Sequence, residues 1–167
     1  IYYFNKYITE KHQNILNKFE NRTALEIIKD FRSKGIKIRP VFGISTLKKV
    51  SNRIIDQEKK ILPLSGFSNM KIIGHNESGD YPILYNDRYG FNNPDHVWNF
   101  TVTDIALIGD SFAYADSVNS GQNIASIIRK NYSKSIINLG TSDSGPLSEL
   151  AIITEYAKHK KPKITLC

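Results

Sequence analysis

Apolar and polar positions change rhythm twice along this chain. From residue 104 onward, short continuous apolar runs alternate with stretches of helical spacing. "DIALIG" (104–109) is the first run, "SIINLG" (135–140) the second and "KITLC" (163–167) the third. Between them, "GQNIASIIRKN" (121–131) places Ile124, Ile127 and Ile128 on one helical face. "PLSELAIITEYAKHK" (146–160) has Pro146 near a first turn, and Leu147, Leu150, Ala151 and Thr154 can face inward. Strand, helix, strand, helix, strand is the pattern of a parallel sheet with right-handed crossovers. Ligands meet such sheets at the carboxyl ends of their strands. Here those ends are Gly109-Asp110-Ser111 and Gly140-Thr141-Ser142-Asp143.

The first hundred residues are less regular. Residues 6–20 have weak helical spacing through Tyr7, Ile8, Ile15, Leu16 and Phe19. "TALEIIKDFRSK" (23–34) is a clearer helix, with Thr23 and Glu26 spaced as a capping box and Gly35 as its stop. Its expected inner face is Leu25, Ile28 and Phe31, with Ile27 at the margin. "IKIRPVF" reads as a short strand interrupted by Pro40, and residues 41–80 read as irregular. Tyr81–Tyr85 reads as one strand of a hairpin, with the turn over Asn86–Gly90 and Gly90 left-handed. The expected whole is an α/β fold. Residues 1–100 form an irregular α+β extension with helices and a short hairpin. Residues 101–167 begin a flavodoxin-like three-layer sandwich that stops after its third strand. Because "KITLC" reads as a buried strand, the pattern is that of a stretch from a longer chain.

Composition narrows the classes. The 167 residues are 40% hydrophobic and 23% charged, an ordinary globular mixture. No apolar run approaches the 18 or so residues of a membrane span, which leaves membrane association open. The single cysteine, Cys167, excludes an internal disulfide and a cysteine-based metal site within one chain. His12, His75, His96 and His159 have no metal-ligand spacing. No cofactor is expected: neither strand-end loop has the glycine pattern of a phosphate cradle, and no lysine follows one. Net charge is +7, yet residues 1–60 carry 14 Lys and Arg against 6 Asp and Glu, whereas residues 61–167 carry 9 against 10. The basic pairs Lys48-Lys49 and Lys59-Lys60 are dispersed and not interleaved with aromatics. That describes a solvated or anion-facing surface, not a nucleic-acid interface.

The candidate chemistry sits at the first strand end. Gly109 allows a sharp turn, and Ser111 would then stand at the head of a helical turn. Its hydroxyl would be exposed, and free N–H groups would face a developing anion. The second loop, "NLGTSDSGP", could add another backbone donor. Arg88, Asn92 and Asn93 fit a cleft lining and fit equally a turn capped by asparagine side chains. Trp98 fits a carbohydrate platform or packing beneath the sheet.

"IALIGDSFAYADSV" resembles the first motif block of the SGNH (GDSL-like) hydrolases, and "IINLGTSDSGPLSELAIITEYA" resembles their second block. "DRYGFNNPD", "LPLSGFSNMKII" and "RTALEIIKDFRSKGIKIRP" are similar to a subgroup associated with bacterial surface-polysaccharide clusters. The resemblance spans about residues 22 to 167. It implies that Ser111 is the nucleophile and its N–H one oxyanion donor. It also implies that Asp110 shapes the turn. The family's second donor is the N–H of a glycine that falls at Asp143 if Asn138 is the aligned asparagine, with Gly140 three residues early. A carboxylate there repels an oxyanion unless turned away, and loss of glycine is expected to hold the loop at negative φ. The family often has glycine near Ala115 as well. Its third donor, an asparagine past the third strand, and its histidine base, preceded by an aspartate three residues earlier, have no counterpart in these 167 residues. None of the four histidines takes the place of that base; each reads as a surface or structural residue.

The resemblance implies a serine esterase acting on ester-linked acyl groups through an acyl-serine. The substrate would be an ester-bearing small molecule or an acylated polysaccharide. Alternatives are a carbohydrate O-acyltransferase and a non-catalytic relative that binds glycan or a membrane partner. By itself this stretch is expected to be nearly inactive, for want of base and asparagine donor.

Overall fold

The computed structural model describes residues 21–47, 49 and 63–167. The helical pattern at 6–20, His12, Lys48 and the pair Lys59-Lys60 lie outside the described residues. Helix α1 is Ala24–Ser33. Thr23 and Glu26 form the full capping box, and Gly35 takes the left-handed φ of +74° that ends it. Local chemistry dictates this helix, and it forms where expected. Ile28 is buried and Phe31 packs against the same cluster, as expected; Ile27 is buried as well, while Leu25 is exposed.

The strands form two sheets. The first holds β1 (Ile38–Pro40), β2 (Lys71–Ile73) and β3 (Ile83–Tyr85) in the order β1-β2-β3, with β1 parallel and β3 antiparallel to β2. Two expectations change here. Residues 41–80, irregular by pattern, contain the central strand β2. The strand near Tyr81–Tyr85 does not form a hairpin with the residues after it; it pairs backward with β2, and Asn86–Gly90 turns the chain into a short 3₁₀ helix, Asp95–Asn99. Gly90 does take a positive φ, +90°. Three-residue strands are too short for alternation to show.

The second sheet holds β4 (Ile105–Leu107), β5 (Ile136–Asn138) and β6 (Ile164–Leu166), all parallel, in the order β5-β4-β6. The order places the earliest strand in the middle, so crossovers leave β4 to both sides. A doubly wound sheet has its topological switch point at such a place. Alternate side chains of β4 serve opposite faces. Leu107 packs with Ala125 of helix α3 (Ile124–Tyr132), and Ala106 packs with Ile152 of helix α4 (Pro146–Ile152). A one-turn helix, α2 (Ser111–Tyr114), stands between β4 and α3. The molecule is thus a mixed α/β fold with one parallel and one mixed sheet. The Ala106 core also takes in Ile44, Phe91, Val97 and Trp98 from the first hundred residues.

The apolar faces of the crossover helices differ from expectation. Ile124 and Ile127 are exposed, while Ile128 packs against the sheet as expected and Ala125 is buried beside it; Leu147 and Leu150 are 84% and 60% exposed, Thr154 is exposed, and Ile152 is fully buried. α4 also widens into a π turn over Ile153–Ala157, which rotates the register and turns Ile153, Tyr156 and Ala157 inward. The "KITLC" run is an edge strand whose residues are all exposed, not a buried one.

Asp104 ties the starts of the three parallel strands together. Its carboxylate accepts from Ser135 N at 3.0 Å, Ser135 Oγ at 2.9 Å and Lys163 Nζ at 2.8 Å. The Lys163 ammonium first, then Ser135, hold it well below the usual carboxylate range. Arg88 does the same for Asp95, and the Thr23 cap for Glu26. Stability from lowered groups is present above their unfolded values of about 4 and is lost as pH falls through the folded ones. Asp87 opposes them, because burial raises its pKa; its contribution is present below its unfolded value and is lost as pH rises through the folded one. With three groups against one, the melting temperature is expected to drop as pH goes from 5 to about 2. Asp104→Asn should flatten that drop. A melting temperature that climbs over this interval contradicts the assignment.

Candidate functional site

The turn after β4 is built from its own sequence. Gly109 has φ +149°. Asp110 caps α2, its Oδ1 accepting from Phe112 N at 3.0 Å. Ser111 is the first residue of the helical turn and is half-buried; Phe112 beside it is 85% exposed. Among the described residues, Ser111 Oγ and the backbone N–H groups of Ser111 and Asp143 have no hydrogen-bond partner. No imidazole or carboxylate among the described residues is bonded to Ser111.

The loop after β5 is held against this turn. Thr141 N donates to Gly109 O at 3.0 Å. Gly140 lies so close that a Cβ there would come 2.4 Å from Tyr114 N. Its own N–H donates to Asn138 Oδ1 at 2.9 Å, and Asn138 Nδ2 donates to Ala113 O at 2.6 Å. Gly140 therefore serves the packing of the two loops, and its N–H is already committed.

Asp143 corrects one expectation. Loss of glycine predicts a negative φ for this loop, yet Asp143 takes φ +58°. Aspartate is among the side chains that tolerate the left-handed region. Its carboxylate lies on the Cα side of Gly43, where a Cβ would come 2.0 Å from Asp143 Oδ2. There it accepts from Ser45 Oγ at 2.9 Å. Ile44 N also donates to Ser142 O at 2.9 Å, so residues 43–45 clasp this loop. Ala115, the C-cap of α2, takes φ +63°.

Sequence reasoning missed Asp116. This buried carboxylate accepts from Ser142 Oγ at 2.6 Å and Ser117 Oγ at 3.1 Å, and it lies 3.3 Å from Nδ1 of His75. The His75 side chain is 60% exposed. Asp116 thus joins the end of β2 to both strand-end loops. Its partners lie 41 positions before it and 26 after it, beyond any local signal.

The asparagines of "DRYGFNNPD" hold the turn from behind and do not line a cleft. Asn92 Nδ2 donates to Tyr114 O at 2.7 Å. Asn93 accepts from Asn138 N at 2.9 Å and Arg129 Nη2 at 2.6 Å, and donates to Asn138 O at 2.7 Å and Asp87 Oδ2 at 3.0 Å. Tyr114 donates its hydroxyl to Asn86 at 2.7 Å, and burial pushes its pKa up. Burial also lowers the Arg129 guanidinium to about 10. Arg88 is taken up by a double contact with Asp95. Trp98 is buried among Phe91, Tyr89 and Tyr156, and gives its indole N–H to Asp87. It is core, not platform.

No protein-family model, curated protein or solved structure matches the chain. Among the described residues there is no cluster of three His, Cys, Asp or Glu placed to hold a metal ion, and no helix is long and apolar enough to cross a membrane. The site offers a free hydroxyl on a helical turn, with two uncommitted backbone donors on adjoining loops. That set suits attack on a carbonyl and stabilisation of the resulting oxyanion.

Proposed function

We propose that this chain carries the nucleophile half of an SGNH-type serine esterase acting on ester-linked acyl groups of a polysaccharide. One observation carries the reading. Asp143, where the family glycine falls if Asn138 is the aligned asparagine, and Ala115, near which the family often has glycine, both adopt the left-handed backbone that glycine favours.

In the proposed reaction Ser111 Oγ attacks the ester carbonyl carbon and its proton passes to a base. The base belongs to the part of the family pattern that these residues do not contain. The carbonyl oxygen takes the negative charge and meets the N–H groups of Ser111 and Asp143. Collapse expels the sugar oxygen, which takes up the proton. Water then cleaves the acyl-serine to the free acid. The Asp143 carboxylate is held by Ser45 Oγ against Gly43.

A fluorophosphonate probe tests this on the full-length protein. One adduct is expected, mapping by peptide mass to Ser111 and absent from Ser111→Ala. An adduct on another residue, or none, removes the esterase reading.

A further inference from the structure

The end of α1 and the start of β1 enclose a second feature. An open cavity of about 300 Å³ lies there, lined by Arg32, Lys37, Arg39, Ile36 and Met70 among others. Lys37 and Arg39 are alternate residues of an extended segment, so they project to one side. Arg32 comes from the last turn of α1 and reaches round the free edge of β1, its Nη2 lying 3.4 Å from Ile38 O. Among the described residues, no acidic side chain lines the cavity. Lys34, two residues after Arg32, is paired with Asp30. Arg32, Lys37 and Arg39 have no ion pair among the described residues.

We propose that this cavity is a subsite for an anionic sugar residue, the carboxylate of a uronic acid held by Arg32, Lys37 and Arg39. The assignment deepens the esterase reading and rests on it for the link to catalysis. Three like charges around one concavity repel each other unless an anion sits between them. Guanidinium groups present a planar fork that matches a carboxylate. The walls supply the other half of a sugar's chemistry: Ile36 and Met70 are apolar and suit the C–H face of a pyranose ring. The volume is at the lower end of small-ligand sites, which run from roughly 300 Å³ upward, and suits a single ring.

Position favours a polysaccharide over a free small acid. Arg39 is four residues before Gly43, at most about 14 Å along an extended chain. Gly43 is the residue on which the Asp143 carboxylate rests. A glycan anchored at Arg39 therefore passes within a few sugar rings of the loop that carries Asp143. A nucleic acid would want a free aromatic for stacking. Phe67, the ring nearest Arg39 at 5.8 Å, is itself packed against Phe42.

Calorimetric titration of the full-length protein tests the subsite. The ligands are tri-galacturonic acid, cellotriose as the neutral counterpart, and phosphatidylglycerol vesicles. The acidic trisaccharide is expected to bind at least about tenfold more tightly than the neutral one and to weaken in high salt. Lys37→Gln with Arg39→Gln should erase that preference while the melting temperature stays put. Ser111→Ala should bind as the parent does. Equal binding of the two trisaccharides, a preference that survives the double variant, or binding to the vesicles alone each overturn the subsite. Selective binding without a phosphonate adduct removes the esterase reading and leaves the subsite standing. An adduct without selective binding does the reverse.

Discussion

Gly140→Ala is expected to destabilise the protein by about 3 kcal/mol or more and to abolish phosphonate labelling of Ser111. The new methyl would stand 2.4 Å from Tyr114 N, 2.5 Å from Ala113 Cβ and 2.6 Å from Ala113 C. Two of those atoms are backbone, so no rotamer change relieves the contact. Overpacking of this kind costs roughly 1–3 kcal/mol. Moving either loop also breaks the Asn138 bridge, which joins Gly140 N to Ala113 O through one carboxamide. A buried polar group left without its partner adds about 1–3 kcal/mol. The measurement is urea unfolding, with a lower midpoint at unchanged slope. Gly121→Ala is the control. Gly121 also has positive φ, +88°, but no atom within 4 Å of an added Cβ, so it should lose about 1 kcal/mol from backbone strain alone. A Gly140→Ala midpoint equal to that of Gly121→Ala would show that the loops are not locked together as described.

The features legible in the sequence are local ones. The Thr23–Glu26 capping box needs four residues and no tertiary partner, and α1 forms as written. The three apolar runs of the parallel sheet are legible too, because each is continuous and bounded by turn residues. Their order is not, since only tertiary packing decides on which side of β4 a crossover lands. Helical spacing alone does not settle which helix face is buried. Ile124 and Ile127 satisfy the spacing as well as Ala125 does, yet Ala125 and Ile128 are the residues that sit against Leu107 and Ile136. The π turn after Ile152 shifts register in a way no apolar pattern announces.

At the candidate site the same division holds. Ser111 and its aspartate cap are adjacent in sequence and legible there. Asp116, Ser142 and His75 come from three segments and are not. Asp143 falls between. Its type is visible, and an aspartate in a Ser-Asp-Ser-Gly loop is compatible with a left-handed backbone. The direction of its carboxylate depends on Gly43 and Ser45, about a hundred residues upstream. A site assembled by two loops can thus keep the backbone geometry of a glycine while losing the glycine, provided a third segment takes charge of the side chain.

Asp87→Asn is expected to cost nearly as much as Asp87→Ala, about 2–4 kcal/mol each. Both carboxylate oxygens are fully engaged as acceptors. Oδ1 receives the backbone N–H groups of Tyr89 and Phe91 at 2.9 and 3.0 Å. Oδ2 receives Trp98 Nε1 at 2.7 Å and Asn93 Nδ2 at 3.0 Å. An asparagine must turn its NH₂ group toward one of these donor pairs, so two donors meet a donor whichever way the amide is flipped. Alanine leaves all four donors unpaired. The disturbance then travels by contact: Asn93 holds Asn138, and Asn138 holds both Ala113 and Gly140. Asp87→Asn should therefore lower the urea midpoint and slow phosphonate labelling at Ser111, even though residue 87 touches neither loop. Burial raises the Asp87 pKa, and the four hydrogen bonds donated to its oxygens oppose that rise. If Asp87→Asn keeps the parent midpoint while Asp87→Ala loses stability, shape rather than acceptor count holds this network. The turn at Ser111 then does not depend on the four bonds at Asp87.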